Sequence, residues 1–399
     1  MTATIRTVST PYKTIRTHFH RAVVMAIFII ITSVAVMPAA PAGQANSAPT
    51  ALVKSGHWKR ARPLIERQYL AHPNSAETAW LLSQVKLAFG DLDQALTLAE
   101  KAVAIDGKNS SYHYQLAVVC GRTAEKASLF SKGHWAKRFK EEAETAASLD
   151  AKNLDARLGL LEYYLQAPRL MGGGKDKARA MADEIARIDA ASGDVAQARI
   201  AQDEKDRAGE GAYFAKAAEA GPKTYDALIT VASYYLRPAA AENSGAGTVG
   251  DAPSEPATVE RLAREAAKVA PDRVGAYAVL ARLYCAQKKW KELVSVLTES
   301  EKLIPDNLTP YYRSAQFLLI QSSKGDQGLT RSENYFRKYL SQNPEPDSPS
   351  LAETHWQLGL VLEKEGRNAE AISEIEAGLS IDPSLAQAKI DLKRIQGER

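Results

Sequence analysis

AETAWLLSQVKLAFGDLDQALTLAEKAVAIDGKN, residues 76–109, decides the architecture of this 399-residue chain. Leu82 and Ser83 lie inside a first apolar segment, Gly90-Asp91 marks a turn, and Ala95, Ala99 and Ala102 sit inside a second segment that closes on Ile105-Asp106. Two antiparallel helices joined by a tight turn approach closely only where the facing side chains are small, and serine and alanine permit that approach. Gly90 suits the left-handed backbone that ends a helix, and the Asp91 carboxylate can accept from the amides that open the next one. One such pair cannot bury its apolar faces alone, so the unit makes sense only when stacked on copies of itself.

Outward from this stretch, the pattern returns at a period of about 34 residues. A half-formed unit precedes it, with a short first helix around Ala48 to Lys54, then Gly56, Trp58, Ala61 and Ile65 leading to His72-Pro73-Asn74. The third unit starts at Ser110, but its second helix, Ala136 to Leu149, arrives late, so residues 121–135 read as an inserted loop. The fourth, Leu154 to Asp189, carries an enlarged turn at 167–175. The fifth closes at Pro222 with Tyr213, Phe214 and Ala217 in place. The sixth has a first helix from Tyr225 to Leu236 and a second from Thr258 to Pro271. Between them, residues 238–257, rich in Ala, Gly and Pro, cannot pack a core; they read as a disordered insertion within one repeat or, alternatively, as a domain linker.

Units seven (Val274 to Asp306), eight (Leu308 to Pro344) and nine (Ala352 to Pro383) follow, the last with His355-Trp356, Leu358-Gly359, Gly366, Ala371 and Ile375 in register. Ser384 then suits the N-cap of a final helix to Ile395, with Gln387, Lys389, Asp391, Lys393 and Arg394 turned to water as a solenoid cap requires. No stretch of alternating apolar residues asks to be a strand. The recurring small residues, the turn glycine and the closing Pro resemble the tetratricopeptide repeat family over nearly all of residues 46–399. The resemblance implies an all-α, right-handed superhelical solenoid of about nine helix pairs with a C-terminal capping helix. Its N-terminal array spans 46–237 and its C-terminal array 258–399.

Residues 1–45 differ from the rest. Arg6, Lys13, Arg16 and Arg21 carry the only charges, and the apolar run Ala22 to Val36 leads to small residues through Ala45. That order reads as an export signal, cleaved after Ala42 or Ala45, because the apolar run is short for a membrane span. An uncleaved anchor from Arg21 to Met37 is the alternative. The location implied is periplasmic or secreted, alternatively inner-membrane anchored. Removing four of the 51 basic residues and none of the 47 acidic ones leaves 47 against 47, so the basic balance of the whole chain belongs to the leader and is no nucleic-acid signature.

A search for chemistry finds little. Leu170-Met171-Gly172-Gly173-Gly174-Lys175 lacks the Ser or Thr and the preceding strand of a phosphate loop. His57, His72, His113, His134 and His355 show no i, i+4 ligand pair, and Cys120 and Cys285 stand too many repeats apart to bridge, which makes them buried thiols. No catalytic, metal or cofactor site is expected. An enzyme site built from the loops at 121–135 and 167–175, with His134, Lys175 and Glu162 converging, is the rival reading. In the family resembled, the first helix of each pair lines a concave face. Counting from 76, 110, 154, 274, 308 and 352 places Trp80, Gln84, Tyr114, Arg122, Glu162, Arg282, Tyr312, Gln316 and Trp356 there. That face suits a protein or peptide partner. The aromatics at position five serve equally to pack adjacent first helices, with Tyr114 and Tyr312 the stronger candidates for partner contact.

Overall fold

A computed structural model describes residues 48–237 and 255–397. The leader 1–45 and residues 238–254 of the Ala/Gly/Pro-rich stretch lie outside the described residues. The regular structure described is all helical. Its nineteen α-helices form nine successive pairs and a cap. They are α1 (Pro49–Lys54) with α2 (Trp58–Ala71), α3 (Ala76–Ala88) with α4 (Leu92–Ile105), and α5 (Ser110–Lys126) with α6 (Leu129–Leu149). Next come α7 (Leu154–Gln166) with α8 (Lys175–Ile188), α9 (Ala190–Asp203) with α10 (Arg207–Ala220), and α11 (Tyr225–Tyr235) with α12 (Pro256–Val269). The last pairs are α13 (Gly275–Ala286) with α14 (Trp290–Leu303), α15 (Thr309–Gln321) with α16 (Gln327–Leu340), and α17 (Leu351–Glu365) with α18 (Asn368–Ile381); α19 (Ala386–Gln396) caps them.

The small residues do what the repeat pattern requires of them. The Ser83 hydroxyl donates to the Ala95 carbonyl across the α3–α4 pair at 2.8 Å, so the two backbones approach within reach of one short side chain. Gly359 occupies the equivalent place on α17, where a Cβ would stand 2.5 Å from Ile375 Cγ1 and 2.9 Å from the Ala371 carbonyl of α18. A larger residue there would force the pair apart.

Each tight turn between paired helices is built alike. Gly90, Gly366 and Lys288 hold the same place in their units, with φ of 81°, 87° and 54°. The next amide in each turn donates back to a first-helix carbonyl: Asp91 to Lys86, Arg367 to Leu362 and Lys289 to Tyr284, all at 2.9 Å. Asp91 then caps α4 by accepting from the Gln94 amide at 3.2 Å.

Three local expectations are corrected. Residues 121–135 are not a loop: α5 runs on to Lys126 and α6 begins at Leu129, so the extra residues lengthen a helical hairpin. Gly121 does not break α5, because its missing side chain makes room for the Phe139 ring, which a Cβ would meet at 3.1 Å. The final helix starts at Ala386, not after Ser384, whose hydroxyl and amide both turn to Asp382. On that helix Asp391 is buried, accepting from the Trp356 indole at 3.1 Å, while Gln387, Lys389, Lys393 and Arg394 are exposed.

The enlarged turn at 167–175 is a turn as expected, with one 3-10 turn at Arg169–Met171. The chain folds back over the end of α7: Tyr163 donates its hydroxyl to the Met171 carbonyl and the Gly174 amide donates to the Tyr164 carbonyl, each at 2.8 Å. No helix of the described residues is long and apolar enough to cross a membrane.

The array also coils back on itself. The segment Ser55 to Arg60, joining α1 to α2, meets the turns that follow α12, α14 and α16, between 217 and 289 residues away in sequence. Ser55 donates to Asp272 at 2.5 Å, the Trp58 indole to Asp347 at 3.4 Å, and the Lys59 amide to Glu345 at 3.1 Å. Lys59 Nζ donates to the carbonyls of Asp306 and Asn343, and Arg60 Nε lies 2.7 Å from Asp306 Oδ2.

Candidate binding groove and the junction of the array's ends

The residues expected to face a partner fall into two groups. At position five the aromatics bridge neighbouring first helices. Trp80 is half-buried with its ring centroid 5.7 Å from that of Tyr112, and Trp356 is half-buried against α19. Tyr114 is only 5% exposed, and its ring lies beside Gly159 of the next first helix. Burial raises its phenol pKa well above the ordinary value.

Tyr312 is wholly inaccessible. Its hydroxyl donates to Glu353 Oε1 and accepts from Gln357 Nε2, both at 2.9 Å, so it ties α15 to α17. Burial, then the neighbouring Glu353 carboxylate, raises its pKa well above normal. Stacked first helices leave a gap between them at this position that only a large side chain fills. Tyr114 and Tyr312 are therefore core residues, and the expectation that they stand free for a partner gives way.

Among the other expected residues, Gln84 is buried. Glu162 is buried too and engaged: Arg199 grips it with two bonds of 2.8 and 3.0 Å, and Gln166 donates to it at 3.2 Å. Arg122 is partly exposed and pairs with Glu125 at 3.1 Å. Gln316 is half-buried and accepts from Arg313 at 3.2 Å.

Arg282 is different. It is solvent-accessible, and its side chain has no hydrogen-bond or ion-pair partner among the described residues. Loss of water contact, then the neighbouring guanidinium groups of Arg313 and Arg237, depresses its pKa. Arg237 in turn pairs with Glu210 at 2.9 Å, and Arg313 lies over the Tyr312 ring at 5.6 Å. Three arginines from three successive pairs thus converge on one accessible surface, with Arg282 uncompensated. Charge clustering of this kind was hidden in the sequence, because the three lie in separate repeats.

The groups of the rival enzyme reading each have separate partners. Lys175 reaches Asp203 and Glu204 on α9 and its following turn, His134 rests edge-on against Trp135 at 5.2 Å, and Glu162 is occupied as above. Cys120 and Cys285 are free and buried, as expected, and burial pushes both thiols up to about 12.

Sequence reasoning missed the junction. His57, Asp306 and Glu345 each offer a ligand atom, and those atoms all lie within 4.8 Å of one another. His57 and Glu345 are 2% and 1% exposed. Nothing in a one-dimensional pattern of helices and turns joins residues so far apart.

The helical pairs, their small-residue contacts and their shared turn geometry define an α-solenoid built from antiparallel helix pairs. Tetratricopeptide repeat profiles match it at residues 52–118 and again at 352–385. Both stretches of the chain carry tetratricopeptide repeats. No curated protein matches it. Solved structures that align with it include a thermophilic TPR protein of Thermus thermophilus, at 20% identity over 47% of this chain and 96% of that one, TM-score 0.41. Yeast Tom70 aligns at 12% identity over 87% of this chain and 86% of its own, TM-score 0.43. PilF of Pseudomonas aeruginosa aligns at 17% over 58% and 93%, TM-score 0.31.

Proposed function

We propose that this chain is an exported, non-catalytic scaffold that holds an acidic segment of a partner protein against the inner face of the solenoid. The observation that carries the reading is Arg282, an accessible guanidinium that lies between Arg237 and Arg313 and has no hydrogen-bond or ion-pair partner among the described residues. Clustered like charges cost free energy in the unbound protein, and a carboxylate-bearing segment relieves that cost while accepting bidentate hydrogen bonds. Trp80 and Trp356, half-buried toward the two ends, leave part of their rings available to the same partner.

The order of charges and apolar residues in 1–45 supports export followed by cleavage, and the mature array would then work in the periplasm or outside the cell. A membrane-tethered assembly factor with the leader retained is the alternative, and the mass of the mature N-terminus separates the two. For the groove, the test is binding of the protein to immobilised peptides of equal length and graded net charge. Acidic peptides should bind best, weaken with salt, and lose about tenfold in affinity, ~1.4 kcal/mol, in Arg282→Gln. Equal binding of acidic and basic peptides, or an unchanged affinity in Arg282→Gln, would refute the groove reading.

A further inference from the structure

The junction between the first pair and the later turns carries a second site. His57 precedes α2, Asp306 lies in the turn after α14, and Glu345 lies in the turn after α16, so three distant segments deliver one imidazole and two carboxylates to one point. His57 Nδ1 already stands 3.3 Å from Asp306 Oδ2. That is about the 3.3 Å edge that two ligands of a tetrahedral zinc ion span when each bond is about 2.0 Å. The Glu345 carboxylate needs to close the remaining gap by a small side-chain movement.

Two further observations point to a cation. The first is unsatisfied polar atoms: Asp306 Oδ1 and Glu345 Oε1 are buried without a hydrogen-bond partner among the described residues. Such atoms are costly unless something unseen occupies their lone pairs. The second is charge. Asp306, Glu345 and Asp347 bring three carboxylates to the junction. Against them stand Arg60, on Asp306, and Lys59, whose ammonium is taken up by the Asp306 and Asn343 carbonyls. Buried carboxylates without matching cations are strongly destabilising.

We propose that His57, Asp306 and Glu345 bind one divalent transition-metal ion, with zinc the best match to a donor set of one imidazole and two carboxylates, and that the ion clamps the first helical pair to the turns after α14 and α16. An imidazole ligand disfavours calcium and magnesium, which take oxygen donors. Three protein ligands leave a fourth position for water or for a group on a partner. The clamp would convert an open-ended array into one whose first pair is fixed to units seven and eight. It is independent of the arginine groove.

The test uses the protein as isolated, stripped with chelator and titrated with zinc alone. One zinc per chain is expected, with a rise in melting temperature that grows with zinc concentration, because an ion that binds only the folded state stabilises it by mass action. Cobalt in place of zinc should give visible d–d bands of a nitrogen- and oxygen-ligated tetrahedral site. In Glu345→Gln and in His57→Gln the affinity should fall at least a hundredfold and the zinc-dependent melting shift should vanish. Glu345→Gln keeps an acceptor for the Lys59 amide, so without metal it should melt no lower than the stripped parent, which separates loss of the site from loss of the fold. No stoichiometric zinc, or zinc held equally well by both variants through histidines elsewhere, would overturn the proposal.

Discussion

Replacing Tyr312 separates two opposed accounts of the position-five aromatics. Seen as a groove residue, Tyr312 can be cut to alanine with the melting temperature nearly unchanged. In the structure it is fully buried among Ala315, Phe336 and Tyr339, with ring centroids 5.5 and 5.2 Å from those of Phe336 and Tyr339. Its hydroxyl also holds Glu353 and Gln357 of the next first helix. Tyr312→Phe keeps the ring and removes two hydrogen bonds, one to a carboxylate and one from Gln357, a loss of about 2–3 kcal/mol. Gln357 still donates to Glu353 at 3.1 Å, which keeps the figure at the low end. Tyr312→Ala also opens a cavity the size of an aromatic ring, for a total of about 5 kcal/mol. The assay is urea unfolding followed by circular dichroism, with hydrogen exchange of peptides from α15 and α17 to locate the loss. A cost below about 1 kcal/mol for Tyr312→Ala would show that the ring is not core and would refute the packing argument.

Two other outcomes follow from particular backbone and side-chain environments. Lys288 takes the left-handed turn conformation that Gly90 and Gly366 take in their units, so Lys288→Gly should stabilise the chain by about 0.5–1 kcal/mol in the same urea assay, and a loss of stability would count against the shared turn geometry. Burial pushes the phenols of Tyr225, Tyr277 and Tyr284 from an ordinary value of 10.0 to about 12. A folded-state pKa raised above the unfolded one gives stability that is complete below pH 10 and lost as pH rises toward 12. Helix content should therefore collapse together with the appearance of phenolate absorbance in that window, and ionisation of these tyrosines near pH 10 with the helices intact would contradict their burial.

Much of the fold was legible because a repeat of this kind writes its contacts locally. Ser83 and Gly359 were readable as close-approach positions because the partner helix is always the next one, and Asp91 was readable as a cap because it follows the turn residue directly. The helical insert at 121–135 was not, since Gly121 and Gly133 look like chain breakers until Phe139 is seen to need the space beside Gly121. The position-five aromatics were misread for a related reason. A first helix has a neighbour on either side as well as a partner in its own pair, and a pattern counted within one unit does not show how much of its face the next unit covers. The arginine cluster and the His57–Asp306–Glu345 group lie wholly beyond such patterns.

What fixes the junction is the sum of small rotations from one pair to the next, a quantity no single unit encodes. In an open array each unit touches only its neighbours, so stability is close to a sum of unit and interface terms and a terminal pair frays first. Here the first pair has two sets of neighbours: α3 of the second pair and the turns at 272, 306 and 343–347. Opening the junction then costs contacts of the first pair and of the turns after α12, α14 and α16 together, so substitutions at Lys59 and at Glu345 cannot be additive even though 286 residues separate them. Charged groups held out of water contribute little net stability but penalise every alternative arrangement that leaves one of them unpaired. The junction is thus better suited to setting how many pairs lie between its two sides than to strengthening any of them. A change in the length of the hairpin α5–α6 leaves that number intact, because it adds residues within a pair; deletion of a whole pair does not.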